Sequence, residues 1–179
     1  MLARADEFAK HTWVCGASNQ KVSCARAAYK SSFLPNQNVQ GVPYRWGGID
    51  GPEELAPKLK SGYAAGSHSW HGVLTCAAGV DCSGFVSQVW GHRGKHTYST
   101  QNLTDIAAPI PGDAISNLKP GDALNRPGSH VVLFAGRQPD GRPIVYEAAG
   151  ASSRVIRNER STWARFQKYQ AIRFGNVSE

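Results

Sequence analysis

The chain has 179 residues, 41% hydrophobic and 18% charged, enough for one domain with a core and too apolar for a disordered polymer. No apolar run approaches about 20 residues, so no membrane-spanning helix is expected. The net charge of +7 favours polyanionic partners, but no nucleic-acid recognition motif accompanies it and no nucleic acid is expected.

The first eight residues, Met1 to Phe8, are amphipathic and lack the apolar stretch of a signal peptide. Either export does not use that route, or a leader lies upstream. Residues 3 to 14 predict a first helix carrying Phe8, Trp13 and Val14, and Gln20 to Tyr29 a second, ended before Pro35. Residues 1 to 40 thus read as a helical N-terminal extension, too short for a core of its own and packed on the rest. Residues 41 to 179 read as one compact unit. Cys15 and Cys24 bracket a short polar loop and could pair, which would imply an oxidising compartment and leave Cys76 over.

Gly41 to Gly48 (GVPYRWGG) reads as a loop despite its aromatics, with Trp46 as a core anchor. Pro52 suits the first position of a short helix reaching Lys60, disturbed at Pro57. Gly62 to Ala78 is a long loop rich in Gly, Ala and Ser, of the kind that forms a groove wall or lid. Its Trp70 suits stacking on a sugar or a peptide. His68, His71 and Cys76 lack a fourth ligand at sensible spacing, so no metal is expected.

Gly79 to Trp90 (GVDCSGFVSQVW) is a loop turning into a helix. Asp81 is a good N-cap, and Phe85, Val86, Val89 and Trp90 form one apolar stripe. Cys82 sits on the first turn, facing the domain, where the partial positive charge of a helix N-terminus favours a thiolate. Taken alone it could equally be a small buried cysteine packed under a helix.

Gly91 to His96 is an exposed basic turn, and residues 98 to 110 a short helical or irregular link. Lys119-Pro120-Gly121-Asp122 is a turn feeding a strand at Ala123. Ser129 to Gly136 is a buried strand headed by His130. A hairpin about Asp140-Gly141 returns through Ile144 to Ala149. Arg154 to Arg157 adds a strand, Ser161 to Phe166 a short helix, and Tyr169 to Phe174 a last strand. Helices first and a small antiparallel sheet after predict an α+β fold, helices packed on the sheet, with a cysteine at a helix N-terminus. Arg154, Arg157, Arg160, Arg165, Lys168 and Arg173, against Glu159 alone, form a basic face in the last quarter.

A cysteine at a helix end and a histidine at a strand head suit nucleophilic attack on an amide, with His130 as the base. If the hairpin register continues outward from Asp140-Gly141, Glu147 lies opposite Phe134, on the His130 face, and can orient the imidazole. The backbone N–H of Cys82 would receive the oxyanion.

Four segments in order, Gly41 to Gly48, Asp81 to Phe85, Leu118 to Asp122 and Gly128 to Phe134, resemble the NlpC/P60 family of papain-like cysteine peptidases. The match covers roughly residues 41 to 150. The resemblance implies a papain-like fold and a bacterial, secreted thiol hydrolase of cell-wall degradation. It would cleave an amide of the peptidoglycan stem peptide, most often γ-D-glutamyl to diamino acid, without a cofactor. It implies that Tyr44, Asp81 and Ser83 bind the free amine of that peptide. The family more often places His, Asn or Gln where Glu147 stands, a departure from its pattern. The basic face would then meet an anionic wall, in an extracellular or periplasmic setting, and the protein would act as a monomer. A toxin delivered into competitors would also suit the domain and would come with an immunity protein. The alternatives are another amidase or acyltransferase activity, or a wall-binding module with a degenerate site.

Overall fold

The computed structural model describes residues 1–21, 24, 29–92 and 98–175. Helix α1 (Leu2–Lys10) buries Ala5 and Phe8, three apart and so on one face. It gives way to strand β1 (Thr12–Cys15), whose Trp13 and Cys15 turn inward while Thr12 and Val14 face out. β1 pairs antiparallel with β2 (Gln37–Gln40). The helix expected over residues 3 to 14 therefore ends at Lys10. Thr12, Trp13 and Val14 are β-branched or aromatic in a run, which favours the extended chain, and the Trp13 indole N–H donates to Gly41 O at 2.9 Å. The helix expected over Gln20 to Tyr29 falls largely outside the described residues, as does most of the basic turn at 91 to 96.

Helix α2 (Pro52–Lys60) starts on Pro52 and carries Pro57 inside it. Two short parallel strands, β3 (Ala64–Ala65) and β4 (Ala77–Ala78), follow and pair with each other. Then come α3 (Cys82–Val89), β5 (Ala107–Pro109), β6 (Ala123–Arg126), β7 (His130–Arg137), β8 (Pro143–Ala149), β9 (Arg154–Asn158) and β10 (Gln170–Phe174). Six of these strands make one sheet in the order β5-β10-β6-β7-β8-β9, every neighbour antiparallel.

This corrects the expected fold class. Among the described residues there are three α-helices, of 9, 9 and 8 residues, and the six-stranded sheet dominates them, with two further two-stranded sheets beside it. A papain-like arrangement of helices packed on a small sheet is not what the architecture shows. The segments at 12–15 and 107–109, in the expected first helix and the expected link, are strands, and so is 37–40. Among the described residues of the first 40 there are one α-helix, a single 3-10 turn at Ala17–Gln20 and a two-stranded ladder.

Both faces of the main sheet are covered. One core joins Phe8 and Trp13 to Phe85 and Val89 of α3 and to Val131 and Leu133 of β7. A second, on the other face, joins Val132 and Phe134 of β7 to Val145, Leu124 and Phe166. That is why β7 reads as an unbroken apolar run, with His130 where the burial begins.

The register between β7 and β8 slips twice from the one the sequence suggests. The turn sets Arg137 opposite Pro143, and an irregularity between Phe134 and Gly136 then sets Leu133 opposite Tyr146. Each one-residue slip turns a side chain to the other face, so two restore it. One more step of this pairing lays Glu147 beside Val132 instead of Phe134. It is then a diagonal neighbour of His130, within reach of a long side chain.

Candidate functional site

Two stretches of backbone hold the N-terminus of α3. The loop from Gly41 to Gly48 runs between β9 and the approach to the helix. Tyr44 N donates to Ser153 O at 2.7 Å and Arg45 N to Val80 O at 3.1 Å, and Asp81 N donates to Gly48 O at 3.1 Å. Gly84 is required there, because a Cβ would stand 2.5 Å from Gly48 O. Asp81 caps the helix as expected, accepting from Gly84 N at 2.7 Å and from the Ser83 hydroxyl at 3.0 Å. Its other oxygen accepts from Gly47 N at 3.2 Å. The capping carboxylate thus ties the Gly-Gly loop to the cysteine turn. Burial pushes the Asp81 carboxyl up, against these hydrogen bonds.

Cys82 lines a cleft of about 360 Å³. Trp46 and Gly47, Asp81 and Ser83, Ser99 to Gln101, and Gly128 with Ser129 complete the lining. Trp46, read from the sequence as a core anchor, is 41% exposed on this rim. Residues 99 to 101 carry no motif that points to a site. They reach the cleft because buried Asn125 of β6 donates to Thr100 O at 2.9 Å, and Gly128 N donates to the Thr100 hydroxyl at 3.0 Å. A larger hollow of about 490 Å³ lies over the β1–β2 ladder, but the residues lining it include no acid–base pair.

The resting state of Cys82 is a thiol. Burial, with the Asp81 charge behind it, pushes its pKa up to about 12, although the N–H groups of Val131, Ser83 and Cys82 oppose this. The helix N-terminus was expected to favour a thiolate, and desolvation outweighs it. The Val131 N–H at the sulfur places the thiol one residue from His130. Among the described residues no hydrogen bond joins Cys82 Sγ to the His130 ring.

His130 heads β7, and its Nε2 lies 3.0 Å from Glu147 Oε2. Nδ1 is thereby left for another partner. Glu147 is 3% exposed and has three further donors. Asn158 Nδ2 gives to Oε1 at 2.7 Å, and Arg165 gives to Oε1 at 2.8 Å and to Oε2 at 2.5 Å. Burial would raise this carboxyl, but the bonds from Arg165, His130 and Asn158 overcome it and hold the group well below the usual carboxylate range. Asn158 and Arg165 are absent from any motif read in the sequence.

The other expected residues separate into near and far. Tyr44 is 8% exposed. Burial, then the charges of Cys82 and Asp81, push its phenol up. Among the described residues its hydroxyl has no hydrogen-bond partner. Trp70 is not in the Cys82 cleft. It is 75% exposed and stacks on His68 at 4.2 Å, and His68 in turn lies 6.2 Å from Tyr44. The rings therefore step outward from the cysteine to the surface.

Two expectations about charge and sulfur are corrected. Cys24 is bonded to Cys76, and Cys15 is a free, buried thiol. Cys15 instead faces the Gln20 amide at 3.1 Å inside the first core. With Cys76 in a disulfide, the His68, His71 and Cys76 grouping loses its thiolate, and no cluster of three or more metal-ligating side chains occurs among the described residues. Of the six basic residues in the last quarter, Arg157, Arg165 and Arg173 are ion-paired, to Glu159, Glu147 and Asp122. The basic face is correspondingly thinner than the sequence suggests. Among the described residues no helix is long and apolar enough to cross a membrane. No protein-family model matches the chain, and no curated protein matches it.

Proposed function

We propose that this protein is a cysteine peptidase that hydrolyses an amide bond in the stem peptide of peptidoglycan. One observation carries the reading: a cysteine on the first turn of a capped helix opens into a cleft, and the sulfur meets the backbone next to a histidine bound to a buried carboxylate. The motif resemblance supports the choice of substrate. The fold contributes nothing to it.

In this reading the thiol stays protonated until substrate arrives. His130 takes the proton as sulfur attacks the carbonyl carbon, and the carbonyl oxygen becomes an oxyanion facing the N–H of Cys82 at the helix start. The imidazolium, held by Glu147, then protonates the departing amine, and a thioester remains. A water molecule, deprotonated by His130, attacks the thioester and returns the thiol. Tyr44, with its open hydroxyl, and Asp81 and Ser83 on the cleft would receive the free amine of the peptide. The ring series Tyr44, His68 and Trp70 would carry the part of the substrate that leaves the cleft.

The wall lies outside the cytoplasm, and the Cys24–Cys76 disulfide supports an oxidising setting of the same kind. The substrate is then reached outside the producing cell or in a competitor's periplasm, and a delivered toxin would need an immunity protein.

The test is digestion of defined muropeptides with mass analysis of the products. Cys82→Ala should abolish cleavage and leave the circular dichroism spectrum unchanged. Cleavage that persists in that variant would refute the assignment. Release of an acyl-transfer product in place of free carboxylate would move the reading to an acyltransferase.

A further inference from the structure

Arg165 was counted in the sequence among the charges of a basic face. In the structure it lies on the turn Trp163–Phe166, below the main sheet, and both of its terminal nitrogens grip Glu147. The guanidinium is itself held, because the same Nη1 donates to the Ser161 hydroxyl at 2.9 Å. Asn158, from β9, completes Oε1. The remaining bond is the one to His130, at Oε2. A buried carboxylate without a cation tends to take up a proton. A protonated Glu147 would no longer be an acceptor at both oxygens, and its hold on the imidazole N–H would weaken.

We propose that Arg165 is a positioning residue for the His130–Glu147 pair: its two-point grip keeps the buried carboxylate ionised and fixes its plane, so that Oε2 accepts from His130 Nε2 and Nδ1 is left for the thiol. The consequence for turnover rests on the peptidase reading, but the geometry does not.

The charged and titratable groups around Glu147 come from several elements. They are Arg165 from the turn, His130 from β7, and Tyr169 just before β10, whose phenol feels both Glu147 and Arg165. Arg126 of β6 acts on Tyr169 as well. Arg165 is the group among these that pairs with Glu147 at both oxygens.

The experiment is a carbon-13 NMR titration of the Glu147 carboxyl in wild type, Arg165→Gln and Arg165→Lys, with the pH profile of muropeptide cleavage run beside it. In wild type the carboxyl should remain ionised through the ordinary carboxylate range, whereas in Arg165→Gln its midpoint should rise by about 1–3 units. The sign follows from linkage. A depressed carboxyl loses its charge only as pH falls to its low folded value, so raising that value brings the loss of charge, and of the hold on the imidazole, to higher pH. Lysine supplies charge without the fork and should restore the midpoint only in part. In a Glu147→Gln background, removal of Arg165 should leave the pH profile of cleavage where that background sets it. A Glu147 midpoint that stays put in folded Arg165→Gln overturns the proposal. If the glutamine variant does not fold, the lysine variant decides, and an ordinary Glu147 midpoint in wild type overturns the proposal without any variant. The carboxyl titration needs no substrate, so a chain that cleaves no muropeptide sinks the peptidase reading and leaves this result standing on its own.

Discussion

At Cys82 two local forces oppose each other. The helix start and three N–H groups favour a thiolate, while removal from water and the nearby Asp81 charge favour a thiol, and the second pair prevails, with a pKa of about 12. The thiolate fraction at pH 7 is then roughly three thousandfold below that of an ordinary cysteine with a pKa near 8.5. Without substrate, iodoacetamide should label Cys82 slowly at pH 7, and the rate should climb about tenfold per pH unit through pH 10. Cys82→Ala serves as the control for the second free thiol, Cys15. A labelling rate that levels off near pH 8 would show a preformed thiolate and remove His130 from the first step. The same raised pKa affects stability. The unfolded thiol ionises first, so the contribution of this group is complete below the ordinary thiol range and is lost as pH rises from there toward 12. The sequence made Cys82, Asp81 and His130 legible because cap, stripe and strand head are local patterns. Arg165 and Asn158 were not legible, because nothing in their neighbourhood distinguishes a residue that crosses to a buried carboxylate from one that faces water.

At the scale of the element, α3 shows tertiary contact opposing propensity. Alanine is about 1 kcal/mol better than glycine inside a helix, which by itself favours Gly84→Ala. The new methyl group, however, would stand 2.5 Å from Gly48 O, a backbone atom in the loop that Asp81 also holds. Overpacking of this kind costs about 1–3 kcal/mol, so the variant should be destabilised on balance, its Tm falling by a few degrees in a chain of this size. A Tm at or above that of wild type would mean the loop moves aside freely and is not a rigid wall of the cleft. The sheet teaches the complementary lesson. Its strands were legible from β6 onward, because alternation and turn residues are written in the chain. The offset at the turn and the irregularity between Phe134 and Gly136 were not, and together they carry Glu147 from beside Phe134 to beside Val132, within reach of His130. β1 and β5 were missed for a different reason. They are short, and four or three residues do not establish a period.

Over the whole molecule, the cleft is built from distant parts of the chain: the 41–48 loop, the start of α3, residues 99 to 101 and the turn before β7. Their relative placement depends on a few long-range ties. One is the hydrogen bonding of the 41–48 loop to β9 and to the approach to α3. Another is the Cys24–Cys76 disulfide, which spans 52 residues and anchors the end of the loop that carries His68 and Trp70. Next to that bond, Ala64 N donates to Cys76 O at 2.9 Å, so the β3–β4 pair and the bridge close the same loop from two sides. Cross-linking over such a separation typically stabilises a domain by about 2–4 kcal/mol, mainly by restricting the unfolded chain. Cys24→Ser with Cys76→Ser, or reduction of wild type, should therefore lower the urea midpoint by a margin that matches this figure. The effect on turnover should be separable. Cys82, His130 and Glu147 are held by α3 and the main sheet, and the bridge lies outside both. Cleavage of a short peptide that fills only the cleft should persist below the shifted midpoint. Cleavage of intact sacculi should fall further, since that substrate would have to engage the exposed Trp70. Equal loss on both substrates would mean that the bridge supports the cysteine turn itself, and that the ring series is no more than packing.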